Sequence, residues 1–81
     1  MCRNITTLRG LAPPASSEEV TAAARQYVRK VSGVQQPSVR TAEAVQEAVD
    51  RIAAVTSDLL AVLPPRQQPP PTLPPLRRSR R

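Results

Sequence analysis

The chain has 81 residues and a net charge of +6, with no histidine, a single cysteine at position 2 and a single aromatic residue, Tyr27. This length allows one small domain, and one cysteine without histidine excludes an internal disulfide and the usual metal clusters. With only two glycines as well, the common catalytic and phosphate-cradling motifs lack their residues. We therefore expect no cofactor and no bound metal, and composition favours a non-catalytic protein.

Residues 1–15 precede the first predicted helix, and residues 1–12 are too short to hold a helix of their own. Three apolar residues in this segment are spaced so that they can form one apolar edge: Ile5, Leu8 and Leu11. We predict an extended N-terminal arm that lays this edge on the helices.

The first helix is predicted over residues 16–32. Ser16 and Glu19 have the spacing of a capping box, in which each side chain satisfies a backbone N–H of the other residue. Gly33 follows the last turn, where a left-handed residue commonly ends a helix. Between these signals, apolar residues recur at helical spacing: Val20, Ala24, Tyr27, Val28 and Val31.

A loop over residues 33–40 leads to a second predicted helix over residues 41–63. Either Ser38 or Thr41 can cap its start, and Pro64 stops it, since proline cannot continue a helix. Its apolar stripe consists of Val45, Ala48, Val49, Ile52, Val55, Leu59, Leu60 and Leu63. Because the loop is short, the two helices are expected to be antiparallel. The fold class is therefore an all-α, antiparallel two-helix hairpin.

Residues 64–81 have a different composition, with seven prolines and five arginines among 18 residues and no acid. Such a segment has too little apolar surface to offset the entropy of ordering, so we predict a disordered tail. The basic character of the protein lies mainly here, because residues 16–63 hold five basic and six acidic side chains. The tail could bind nucleic acid or an acidic surface by charge alone.

A two-helix hairpin leaves one side of each apolar stripe half covered, and a second hairpin would cover it. Small single cores also give little stability, about 3–5 kcal/mol, without a disulfide, a metal or a partner. Both arguments predict a homodimer. No apolar run reaches the length of a membrane span and no secretion signal fits, so we expect no membrane contact and a cytoplasmic protein.

Four short motifs make a resemblance visible: MCRNI at residues 1–5, YVRKVSG at residues 27–33, Pro37-Ser38 and Ala48-Val49. Over about residues 1–63, without the tail, the chain resembles a small bacterial family of uncharacterised proteins, the domain of unknown function family 2277. The family carries no established activity. The resemblance therefore supports the domain boundaries and draws attention to the motif residues, and implies nothing further about function.

The tip of the hairpin is the leading candidate site. Arg29 and Lys30 end the first helix, and Ser38 and Arg40 lie at the start of the second. Cations beside a helix N-terminus favour an anion, such as the phosphate of a nucleotide or of a nucleic-acid backbone. The alternative reading gives each residue only a local role in capping. The first interpretation predicts an anion-binding module.

The N-terminal motif Cys2, Arg3 and Asn4 is the second candidate. If Met1 is removed, Cys2 carries a thiol and a free amine, and Arg3 can help lower the pKa of the thiol. This arrangement predicts a thiol-dependent activity; the alternative is a small apolar side chain that anchors the arm. A third hypothesis is a purely structural docking subunit in a larger complex.

Overall fold

The structure is a computed structural model that describes residues 3–66 and 69–78, the last of them without its side chain. Its elements are α1 (Ser17–Ser32), α2 (Ala42–Val62) and a single-turn helix, α3 (Pro75–Arg78). The two long helices pack against each other, and the described residues contain no strand. The predicted all-α hairpin is confirmed. The first helix begins one residue later than predicted and ends where predicted, and the second is one residue shorter at each end.

The ends of α1 follow the local signals. The Glu19 N–H donates to the Ser16 hydroxyl at 3.2 Å, and the Ser16 N–H donates to the Glu19 carboxylate at 2.8 Å, so the capping box is complete. Gly33 has φ 76° and donates its N–H to the Arg29 carbonyl at 2.9 Å. Val34 then packs against the cluster that contains Val28, as a helix-ending motif of this kind usually allows.

The start of α2 resolves the choice between Ser38 and Thr41. Thr41 occupies the N-cap position, but its hydroxyl makes no capping bond to the helix. Its oxygen accepts the Ser38 N–H at 2.8 Å instead, and the Ser38 carbonyl accepts the Ala42 N–H at 2.8 Å. The two residues therefore build one turn that leads into α2.

The core consists of two connected apolar clusters. The first joins α1 to α2 near the loop through Ala24, Val28, Val45 and Val49, of which Val49 is fully buried. The second lies towards the opposite end of the hairpin and holds Leu8, Leu11 and Val20, with Ala15 and Leu60 beside them. Ala53 contacts both clusters.

The N-terminal arm is part of this core. Leu8 and Leu11 are buried against the hairpin, as the spacing predicted, whereas Ile5 stays 43% exposed. The side-chain carbonyl of Gln26 accepts the N–H groups of Asn4 at 2.8 Å and of Ile5 at 3.2 Å. Further along, the Arg9 guanidinium donates to the Pro64 carbonyl at 2.6 and 2.8 Å. The arm is thus attached to α1 and to the end of α2.

The described part of the tail makes defined contacts with the start of α1, and the disorder of residues 64–81 as a whole stays a prediction. Pro70 and Pro74 are buried, and the Arg77 side chain lies against the start of α1. The contacts arise because the start of α1 offers a carboxylate and the prolines before it offer carbonyl oxygens, which together bind one guanidinium.

Candidate functional site

The N-terminal arm and the outer face of α1 enclose a shallow polar groove of about 470 Å³, which we name the arm groove. It is lined by Asn4, Ser17, Glu18, Thr21, Ala22, Arg25, Gln26 and Arg29. The α1 side chains come from positions three or four residues apart, which lie on one face of a helix. Asn4 reaches the groove because its backbone N–H is bound to Gln26.

The two cations of the arm groove lie one turn apart on α1. Arg25 is half-buried and donates to the Gln46 amide oxygen at 3.4 Å, which directs it partly towards α2. Arg29 is exposed and makes no ion pair with any other residue that the structure describes. The one acid of the groove, Glu18, lies eleven residues before Arg29, or about 16 Å along the helix. The end of the groove nearer the loop is therefore cationic.

The structure places the predicted tip residues in two environments. Arg29 lines the arm groove beside Asn4, whereas Lys30, Ser38 and Arg40 are exposed and do not line it. Ser38 is engaged in the turn that precedes α2. The sequence predicted one cluster of Arg29, Lys30, Ser38 and Arg40. Arg29 and Asn4 of the N-terminal motif line the same groove, and the predicted cluster and the binding role of all four residues stay predictions.

The N-terminal motif is only partly described. Asn4 is half-buried and Arg3 is exposed beside it. Cys2 lies outside the described residues, so its nucleophilic role stays a prediction. Across residues 3–66 and 69–78, no group of three metal-ligating side chains occurs. Within the same residues, no helix is both long enough and apolar enough to cross a bilayer.

A buried ion pair at the start of α1 was not found by sequence reasoning. Arg77 Nε donates to Glu19 Oε2 at 2.7 Å, and Arg77 Nη2 donates to Glu19 Oε1 at 3.2 Å, with only 4% of the Glu19 side chain exposed. Arg77 Nη2 also donates to the carbonyls of Pro13 at 2.6 Å and Pro14 at 3.0 Å. Because 58 residues separate Glu19 from Arg77, no local sequence pattern indicates the pair. The capping box also accounts for Glu19 without a second partner.

The ionisation of Glu19 reflects this environment. The hydrogen bond from Arg77 lowers the pKa of Glu19, and the Ser16 N–H lowers it further, while burial opposes both. The net result is a pKa below the ordinary value of 4.5, so the carboxylate is charged at neutral pH. The charged carboxylate therefore binds the Arg77 guanidinium and holds the described part of the tail on the start of α1.

Comparison with known proteins gives one match. A family model described as an uncharacterized conserved protein (DUF2277) matches residues 1–81. The chain belongs to this family. The match extends through the tail, whereas the sequence resemblance stopped at residue 63. No curated protein and no solved structure matches the chain. The match to DUF2277 covers the sequence through Arg77, and its description assigns no activity.

Proposed function

We propose that this DUF2277 protein is a homodimeric, non-catalytic binding module that contacts a phosphate-bearing anionic partner through the cations near the hairpin loop. The observation that carries the proposal is the free guanidinium of Arg29. It is exposed, it lines the arm groove, and it makes no ion pair in the described part of the chain.

Three further exposed cations strengthen the proposal. Lys30 follows Arg29, Arg40 lies across the loop, and Arg3 precedes the Asn4 that is bound to α1; all three are exposed and free of ion pairs among the described residues. Exposed cations that make no ion pair can contact a ligand without first breaking one, and phosphate backbones attract such clusters in a salt-dependent way. The arm groove adds amide and hydroxyl groups that can position the ligand.

A matched pair of single substitutions tests the proposal. Arg29→Ala removes one cation near the loop, and Arg66→Ala removes one exposed cation at the opposite end of the hairpin. A fluorescently labelled single-stranded oligonucleotide is titrated with the full chain at several salt concentrations. We expect Arg29→Ala to weaken binding roughly threefold to fivefold, since one exposed charge contact contributes up to about 1 kcal/mol. The salt dependence should also fall by about one phosphate contact.

The control decides the interpretation. Arg66→Ala should retain the wild-type affinity within a factor of about two if the site lies near the loop. Equal losses in both variants would reduce the interaction to general charge attraction and contradict a site. A polyglutamate peptide distinguishes the class of ligand, because the proposal requires the oligonucleotide to bind more tightly at equal charge.

A further inference from the structure

The exposed side of α2 carries an apolar stripe that the hairpin does not cover. Val55 is 69% exposed, Leu59 is 52% exposed and Val62 is 77% exposed, although all three are large apolar side chains. Ile52 lies at the inner edge of this stripe, where it lines an apolar groove of about 290 Å³ with Ile5 and other residues of the arm and α1. Ile52 lies one helical turn from Val55 and therefore links the groove to the stripe.

The spacing of these residues is that of a coiled-coil seam. Alternating steps of four and three residues connect five positions along α2: Ala48, Ile52, Val55, Leu59 and Val62. Such alternation keeps one stripe facing a partner helix over its whole length. The segment from Ala48 to Leu59 extends about 16 Å and supplies four layers of side chains.

Two charged residues flank the seam on its solvent side. Arg51 and Asp58 occupy equivalent positions one heptad apart, immediately before Ile52 and Leu59. Among the residues that the structure describes, Arg51 forms an ion pair with Glu47 alone, at 4.0 Å, and 80% of its side chain is exposed. Asp58 is exposed and makes no ion pair within the described residues. Both side chains are therefore available to a partner.

We propose that two copies of the chain pair through α2 in antiparallel orientation, with Arg51 of each copy beside Asp58 of the other. The geometry of antiparallel coiled coils places Ile52 against Val55 and Ala48 against Leu59 of the second copy. In that register the flanking positions 51 and 58 come together twice, once on each side of the twofold axis.

The charges select both the orientation and the occupant. In a parallel pair, position 51 would face Thr56 and position 58 would face Leu63, so neither charge would find a partner. A second copy is self-complementary because one patch carries both the cation and the anion, as a twofold interface requires. The layer of Ala48 against Leu59 also combines a small side chain with a large one, which permits close packing. This pairing rests on the homodimer of the proposed function and specifies its surface.

Sedimentation equilibrium of the full chain tests the pairing through one apolar substitution and its control. Val55→Glu places a charge in the centre of the seam, at a position that the single hairpin leaves exposed. Val39→Glu makes the same change in the loop, where Val39 is 99% exposed. We expect Val55→Glu to raise the dimer dissociation constant at least tenfold and Val39→Glu to leave it unchanged. Circular dichroism should show wild-type helix content in both.

Charge reversal tests the orientation separately. Arg51→Glu and Asp58→Lys each create like charges at both symmetric contacts, and each should weaken the dimer roughly threefold to tenfold, as exposed pairs of charges do. The double substitution restores opposite charges and should recover most of the affinity. The antiparallel register is overturned if Val55→Glu breaks the dimer but the double charge reversal dimerises no more tightly than the two single charge reversals.

Two other outcomes would overturn the pairing itself. One is a wild-type chain that remains monomeric at high micromolar concentration, and the other is equal weakening by Val55→Glu and Val39→Glu. Neither outcome bears on the anion site, because binding of the oligonucleotide is measured through Arg29→Ala and does not use the seam. The dimer and the anion site can therefore fail independently.

Discussion

The ion pair between Arg77 and Glu19 determines whether the tail contributes to the stability of the hairpin. Arg77→Ala removes two hydrogen bonds to a carboxylate that is 4% exposed, together with two bonds to proline carbonyls. Removing one partner of a fully buried pair costs about 3–5 kcal/mol. The cost here should be smaller, because the released tail lets water reach Glu19 and the Ser16 N–H continues to bind it. We expect a loss of about 2 kcal/mol, in the range for hydrogen bonds to charged groups.

Urea denaturation at neutral pH, followed by far-ultraviolet circular dichroism, measures this loss. For a chain of this size the dependence on urea is about 1 kcal/mol per molar. The midpoint should therefore fall by about 2 M, a large part of the stability expected for so small a core. Arg66→Ala, which removes an exposed arginine of the same tail, should change the stability by less than about 0.5 kcal/mol.

A double-mutant cycle separates the ion pair from the capping box. Glutamine at N3 still caps a helix, so Glu19→Gln keeps the box and removes the charge. The cycle of Glu19→Gln with Arg77→Ala should give a coupling energy of about 1–2 kcal/mol. If Arg77→Ala changes stability no more than Arg66→Ala, or if the coupling energy is below about 0.3 kcal/mol, the tail does not hold the helix and the reasoning is refuted.

Three further predictions concern pH, the core and the end of α1. Arg77 lowers the pKa of Glu19 below its ordinary value, so the charged carboxylate stabilises the fold fully above about pH 4.5. This stability is lost as the pH falls through the lowered pKa. In urea titrations at decreasing pH, wild type should therefore lose stability more steeply than Glu19→Gln. Val49→Ala should cost about 2 kcal/mol, because Val49 is fully buried, whereas Val39→Ala should cost almost nothing by the same titration. Gly33→Ala should lower the free energy of unfolding by about 1 kcal/mol, because Gly33 has φ 76° and side-chain-bearing residues rarely adopt this conformation. A methyl group there would meet no atom within 4 Å, so the cost comes from the backbone alone.

The arm shows how far periodicity alone can predict packing. The spacing of Leu8 and Leu11 correctly placed them against the hairpin, because apolar side chains on one edge of a short segment have few other surfaces to cover. Ile5 has the same spacing and remains partly exposed. What distinguishes it is the Gln26 side chain, which binds the backbone at residues 4 and 5 and fixes how the arm crosses α1. A polar contact across 21 residues has no periodic signal.

The candidate site also combines a feature that the local sequence predicts with one that depends on tertiary contacts. Arg29 was correctly recognised as a helix-end cation, since its position in the last turn is a local property of the sequence. The sequence grouped it with Arg40 because the two are close along a hairpin. Its place beside Asn4 depends on where the arm lies, and the arm is positioned by tertiary contacts.

What the sequence determined by itself is the set of helix ends and the hairpin that follows from them. Ser16, Gly33 and Pro64 act through atoms within four residues, so their effect does not depend on the rest of the chain. Only the tertiary structure decided that Arg77 binds Glu19 and that Val55 faces outward. Both outcomes depend on which distant segments pack against each surface, and packing and charge in the folded chain determine those contacts.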